Sequence, residues 1–348
     1  MKRFLSFRKI VILCLIISGL IFYIYNFIPH SEPSQYAFTP SQIFPEDNQG
    51  AGEEAEGSAN DDLPYDNTYN TDGTSDKNQA SSGLQIKVRG RSIYLGESDE
   101  AVVKKLGAPG RIDESEYNFE YYIYNNDYTR LLCIAVSDGR VVGLYTDSLD
   151  FDCMGIKSGT GLSTLCELLH QDYSLTDIIE YETEEYRLQI FMDSLESDKV
   201  TGIYLLSKAM QKDGYTPEAM HSLELIIYDL TNSIRVRHNL PVLSWSSSAA
   251  LACRKHSLDM AVNDFFSHKN IKREQPEDRL RSEGIFVISH SENLVAGYDD
   301  PFISIHKLYN SRQHRTNILD KKIRYTGVGF AYEPDSRYGS YITQILYR

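Results

Sequence analysis

The chain has 348 residues, 49 of them acidic against 35 Lys and Arg, for a formal net charge of −14, and 41% are hydrophobic, with 25 Tyr and 14 Phe. Such apolar and aromatic content excludes a chain disordered throughout, and the acidic balance argues against nucleic acid as the main partner, because phosphate binding needs a basic surface. The charge is unevenly placed: residues 31–83 hold eleven Asp or Glu and one Lys, so the remainder is only mildly acidic.

In chain order, residues 1–9, "MKRFLSFRK", carry four basic side chains, and residues 10–28, "IVILCLIISGLIFYIYNFI", then run 19 positions without a charge. At ~1.5 Å per helical residue, that run matches the ~30 Å hydrocarbon core of a bilayer and predicts a transmembrane anchor. The basic residues before it predict a cytoplasmic N-terminus and a single-pass cell-membrane protein with its C-terminal domains outside. A cleaved signal peptide, releasing the rest as a secreted protein, is the competing expectation. It is disfavoured because apolar residues continue past Gly19 and no Ala-x-Ala site follows. Residues 31–83, rich in Ser, Asn, Asp, Glu, Gly and Pro, bury too little to fold and predict an acidic disordered linker.

Residues 84–210 form a block of strand-like runs: "LQIKV", "YNFEYYIYNN", "RLLCIAV" and "RVVGLYT", the last two joined by a hairpin turn at "SDGR". A weak internal repeat is visible. "IYLGESDEAVVKKLG" is similar to "MGIKSGTGLSTLCELL", and each is followed by an aromatic-rich segment and a two-strand run. Two copies of one α+β unit packed as a pseudo-dimer explain this economically. The tyrosines and phenylalanines here fit cross-strand packing. Of the five cysteines, Cys14 lies in the apolar run, Cys133, Cys153, Cys166 and Cys253 show no disulfide framework, and Cys253 reads as core. A Cys153–Cys166 bridge stays open.

Residues 215–348 form the last domain. Thr216, Pro217 and Glu218 read as a helix start, after which Met220, Leu223, Ile227, Leu230 and Ile234 recur at helical spacing. Ser246 caps a second helix. A third begins after Asp300 and runs through "FISIHKLYNSRQHRTNIL". "YTGVGFAYEP" and "SYITQILYR" alternate as two strands, so helices on both sides of a small antiparallel sheet are expected. Chemistry-bearing residues gather here: His268 in "NDFFSHKN", His290, Glu292 and Asn293 in "SHSENLVAG", and Ser311, His314 and Arg315 in "YNSRQHRTNIL". Ser311 and His314, three apart, share a helix face. A nucleophilic serine needs an orienting acid and an oxyanion hole, and no Gly-x-Ser-x-Gly elbow surrounds this one. His256 reads as a helix-surface or packing residue rather than a ligand, Asn293 as bonding to backbone, and Arg315 as pairing with a carboxylate near a helix end.

Taken in order, "TNSIRVRHNLPVLSW", "ALACRKHSLDM", "FFSH", "SENLVAG", "SRQHRTNIL" and "TGVGFAYEPDSRYGSYITQILY" resemble the CAP superfamily of cysteine-rich secretory, antigen 5 and pathogenesis-related proteins, in its bacterial form. The preceding repeat block resembles the CAP-associated N-terminal domain of some Gram-positive members. The resemblance implies a C-terminal α-β-α sandwich; with the repeated α+β domain and the transmembrane helix read above preceding it, the chain is expected to be α+β. It also implies a surface cleft of two His and two Glu. Carried over, these are His268, Glu292 and His314. The second Glu has no match, and Ser311 stands near its place. Two imidazoles with a carboxylate alongside suit a divalent metal such as Zn²⁺, held weakly by His268 and His314 while Glu292 orients an imidazole or a water. Equally, His268, Glu292, Ser311 and His314 can form a buried hydrogen-bonded network fixing loop to helix. Three functions follow. The first is a non-enzymatic extracellular binding module for a metal ion, small ligand, lipid, peptide or protein. The second is a metal-assisted hydrolase of peptide or cell-wall material, with Glu292 as base. The third is a structural envelope component.

Overall fold

The computed structural model describes residues 84–348; the expected anchor at 10–28 and linker at 31–83 lie outside the described residues. Among the described residues no helix is long and apolar enough to cross a membrane.

The repeat is visible in the structure, and its two copies share both of the block's sheets. Its first copy comprises β1 (Gln85–Val88), β2 (Arg91–Tyr94), α1 (Asp99–Leu106), β3 (Arg111–Glu114), β4 (Glu120–Tyr124), β5 (Leu132–Ser137) and β6 (Arg140–Thr146). The second comprises β7 (Asp152–Cys153), β8 (Ile156–Lys157), α2 (Leu162–Leu169), β9 (Ile178–Glu182), β10 (Tyr186–Asp193) and β11 (Lys199–Ser207). A seven-stranded sheet runs β3-β4-β5-β6-β11-β10-β9, and a four-stranded sheet runs β2-β1-β7-β8. The copies meet where β6 pairs antiparallel with β11, Tyr145 opposite Tyr204. Both strands read Val-x-Gly-x-Tyr (Val141, Gly143, Tyr145 and Val200, Gly202, Tyr204), so equivalent residues face each other across a pseudo-twofold axis. The first hairpin bulges between Ala135 and Val136, the second between Phe191 and Met192. The bulge is thus part of the repeat. No Cys153–Cys166 bridge forms: both are free thiols. Cys153 is buried in the core beneath the sheet, whereas the Cys166 Sγ accepts from the Tyr173 N–H at 3.4 Å.

The last domain begins at its expected caps. Thr216 accepts from the Ala219 N–H at 2.9 Å and opens α3 (Pro217–Arg237); Ser246 accepts from the Ala249 N–H at 3.2 Å and opens α4 (Ser247–Val262). With them stand β12 (Ser244–Trp245), α5 (Pro276–Ser282), β13 (His290–Ala296), α6 (Pro301–Tyr309), α7 (Arg312–Ile318), β14 (Tyr325–Tyr332) and β15 (Ser340–Tyr347). The sheet order is β12-β14-β15-β13. It is not wholly antiparallel: β12, reached from α3 rather than through a hairpin, pairs with β14 in parallel. Val328 and Phe330 pack on the α3 and α6 side. The alternating Gly327 and Gly329 face α4, where a Cβ on Gly329 would lie 2.1 Å from the Arg254 nitrogen. The α4 backbone therefore rests directly on β14.

The single helix expected through "FISIHKLYNSRQHRTNIL" is instead two, with a break at Asn310 and Ser311. The cause lies in the repeat block. The Asn310 side-chain amide donates to the Met192 carbonyl at 2.8 Å, and its oxygen accepts from the Ser194 N–H at 3.0 Å. These contacts replace helical continuity.

The two halves meet over one apolar core, in which Phe119, Tyr121, Tyr145 and Phe191 pack against α3 and α6. Cross-strand packing alone does not describe these aromatics. Tyr145 stacks on Phe302 at 4.2 Å, and Phe191 stacks on His306 at 4.0 Å. Polar ties surround them. Asp229 accepts from Arg111, Asn125 and Tyr128 at 2.8, 3.0 and 2.8 Å. Arg315 pairs with Asp193 and, at 3.0 Å, with Glu196, so its expected carboxylate partners come from the β10–β11 turn.

Glu116, buried near this junction and 3.9 Å from Lys212, carries a pH signature. Burial pushes its carboxyl from 4.5 up to about 8, with Lys212 opposing and Asp300 adding. An acid raised on folding holds its proton in the native state, so its contribution is full below the unfolded pKa and is lost as pH rises through the folded one. Glu116→Gln is expected to flatten the fall in melting temperature between about pH 5 and about pH 9 relative to the wild type. Identical slopes in thermal unfolding would refute the assignment.

Candidate functional site

His268 lies in the exposed loop after α4, and Glu292 on edge strand β13. The structure brings them together, His268 Nδ1 lying 2.8 Å from Glu292 Oε1. The other Glu292 oxygen is bound by Arg279 Nη2, from α5. Arg279 Nη1 also donates to the His268 and Glu274 carbonyl oxygens, each at 3.0 Å. One guanidinium therefore fixes both the backbone of the histidine and its ring partner. The side chains of Glu292 and Arg279 are only 2% and 5% exposed, whereas that of His268 is 51% exposed. A carboxylate can only accept, so the proton on Nδ1 points at Glu292 and the Nε2 lone pair lies on the remaining edge of the ring.

His314 is half-buried on α7. Asn317, three residues on and on the same helix face, donates to the Asn293 side-chain oxygen at 2.8 Å and to the Glu292 carbonyl at 3.4 Å. The helix carrying His314 is thus fastened beside Glu292. Asn293 bonds side chains rather than backbone, because it also donates to Gln344 at 3.0 Å. Ser311 occupies the N-cap position of α7 without a capping hydrogen bond from its side chain. His256 is a packing residue, as expected: it is buried, lies 2.8 Å through Nε2 from the Ser267 carbonyl, and burial pushes its imidazole down to about 4. Among the described residues no group of three or more His, Cys, Asp or Glu could hold a metal ion. Both carboxylate oxygens of Glu292 are engaged, one with His268 and the other with Arg279.

Arg279 escaped the sequence reading. The signal for it is indirect: a buried carboxylate needs a cation, but Arg273, Arg279 and Arg281 lie within nine residues and nothing local separates them.

The model of the cysteine-rich secretory protein family matches residues 228–346, and that of the CAP-associated N-terminal family matches residues 95–215. The chain carries a CAP domain preceded by a CAP-associated N-terminal domain. Its CAP domain therefore covers the loop, strand and helix that assemble the site, and the CAP-associated domain covers most of the repeat. The chain is 27% identical over 298 residues to the uncharacterized membrane protein YlbC of Bacillus subtilis (strain 168), covering 72% of this chain and 84% of that one. It is 29% identical over 114 residues to the uncharacterized protein YkwD of the same organism, over 33% of this chain and 44% of that one. Two solved structures share the fold. An extracellular protein containing a SCP domain from Bacillus anthracis str. Ames aligns with TM-score 0.60 and 24% identity, covering 73% of this chain and 93% of its own. A cysteine-rich secretory protein from Staphylococcus aureus Mu50 aligns with TM-score 0.55 and 16% identity, covering 73% and 91%.

Proposed function

We propose that this CAP protein is a membrane-anchored extracellular binding module, whose cleft around His268, Glu292 and His314 holds a small ligand or, weakly, a divalent metal such as Zn²⁺. The observation that carries this reading is the double engagement of Glu292 by His268 and Arg279. A carboxylate so held orients the imidazole and is poorly placed to act as the base of a hydrolase. The outward Nε2 of His268 supplies the binding atom, and two imidazoles at most make any metal binding weak. Anchoring is supported by the charge-free run at residues 10–28 and by the membrane designation of YlbC, and an outside location by the extracellular designation of the Bacillus anthracis neighbour. The C-terminal domain is read as an α-β-α sandwich with α4 on one face of its sheet and α3 on the other.

Calorimetry of the full-length protein with Zn²⁺ is expected to give weak heat that His268→Ala removes. Absence of heat in the wild type would retract the metal and leave the small-ligand reading. Turnover of a peptide or cell-wall substrate, abolished by Glu292→Gln in a folded variant, would overturn the binding-module reading in favour of the hydrolase.

A further inference from the structure

Among the described residues the large apolar side chains most open to solvent are Phe286 and Ile288, 82% and 81% exposed. They stand in residues 284–289, "GIFVIS", between α5 and β13. The exposure is not slack in the chain. Ile285 and Val287, the alternate positions, pack on the cluster of Ala252, Cys253 and Leu280. The Ile288 N–H donates to the Arg348 carbonyl at 2.8 Å, and the Arg348 N–H donates to the Ser289 carbonyl at 3.1 Å. A backbone fixed beside the end of β15 therefore holds both side chains out in water.

The same end of the sheet carries more of this kind. The Arg324 N–H donates to the Tyr347 carbonyl at 2.9 Å, and the Ser244 N–H to the Arg324 carbonyl at 2.8 Å. These bonds bring the exposed Val242 and Tyr325 to this end, together with Lys321, Lys322, Arg324 and Arg348, all exposed. Residues 239–249, 284–289, 321–325 and 341–348 contain no Asp or Glu, in a chain whose formal charge is −14. The flanking acids are engaged: Asp320 accepts from the Lys322 N–H at 2.8 Å, and Glu283 pairs with Lys255 at 2.7 Å. Exposed apolar groups beside cations complement an anionic bilayer, whose headgroup layer takes the rings and chains while its phosphates hold the cations. Two side chains projecting from a rigid backbone enter a deformable headgroup layer directly, whereas a protein partner would have to offer a pocket for each.

We propose that this end of the CAP domain docks on an anionic lipid surface. Phe286 and Ile288 enter the headgroup boundary, and Lys321, Lys322, Arg324 and Arg348 lie against the phosphates. The contact rests on the membrane-anchored reading only for the nearness of a bilayer, and it uses none of the residues of the His268 cleft.

The test uses the full-length protein assembled into lipid nanodiscs, with a photoreactive benzoylphenylalanine replacing Phe286. Lipid adducts are expected in discs containing phosphatidylglycerol and roughly tenfold fewer in discs of phosphatidylcholine alone. Lys321→Gln/Lys322→Gln/Arg324→Gln, changing exposed side chains only, is expected to lower the yield in phosphatidylglycerol discs by a similar factor. The same probe replacing Leu149, an exposed apolar residue of the repeat block, is expected to give almost none. No lipid adducts from position 286, equal adducts from 286 and 149, or a yield indifferent to lipid charge would overturn the proposal. Adducts from 286 to a second copy of the chain, in place of lipid, would assign the face to self-association and overturn it too. Failure of the chain to insert into the discs would instead refute the anchor. Phosphatidylglycerol vesicles added to the free protein then read the same probe, with adducts at 286 supporting the docking surface and their absence overturning it.

Discussion

Gly329→Val is expected to yield no folded protein. A Cβ at this position would sit 2.1 Å from the Arg254 nitrogen and 2.3 Å from the Cys253 carbonyl carbon, both in the backbone of α4, where no rotamer change can relieve the clash. Ordinary overpacking of a core costs ~1–3 kcal/mol because side chains can shift. Here a helix must lift from the sheet and uncover Ala249, Cys253 and their neighbours, so the loss should approach the ~5–15 kcal/mol stability of a typical domain. Gly327→Ala, whose Cβ would lie 2.3 Å from the Ala250 nitrogen, should be nearly as severe. Gly161→Ala, with nothing within 4 Å, should stay within ~0.5 kcal/mol of the wild type. Chemical denaturation of the three variants checks the ordering, and a folded, stable Gly329→Val would contradict the close approach of helix and sheet.

Arg279→Ala should also be strongly destabilising. It strips the Glu292 carboxylate, 2% exposed, of its buried cation, and it releases the His268 and Glu274 carbonyls. Breaking a buried ion pair from one side costs ~3–5 kcal/mol. Arg279→Lys should recover little, because an ammonium cannot span a carboxylate and two carbonyls as a planar guanidinium does. Arg279→Met/Glu292→Leu should regain much of the stability, since an apolar pair of similar volume leaves no buried charge, while losing the orientation of His268. Equilibrium unfolding separates these outcomes. An Arg279→Ala variant within ~0.5 kcal/mol of the wild type would show that the guanidinium is not what holds the site.

Local features were legible in the sequence. The caps at Thr216, Ser246 and Asp300 stand where the hydrophobic period begins, and a cap is decided by its own few residues. The repeat shows in the two Val-x-Gly-x-Tyr strands, because both copies must make the same bulged hairpin. Features that depend on distant partners were not. The helix break at Asn310 is caused by Met192 and Ser194, more than a hundred residues earlier, and no local residue announces it. Asn293 was read as bonding backbone because its partners, Gln344 and Asn317, arrive on other elements. Among the site residues, His268 and Glu292 were recognised by motif, while nothing local marks Arg279, which unites them. The Cys153–Cys166 bridge left open by composition fails because β7 buries one thiol in the core while the other is engaged near the end of α2.

The central claim is that Glu292 and Arg279 hold His268 with its Nε2 available to a ligand. Long-range ¹H–¹⁵N correlation of the histidine rings in the full-length protein tests it directly. The account predicts that His268 is protonated on Nδ1 and bare on Nε2, that this form is lost in Arg279→Met/Glu292→Leu, and that Zn²⁺ perturbs the Nε2 signal. A His268 protonated on Nε2, or one whose tautomer is the same with and without Glu292, would contradict it.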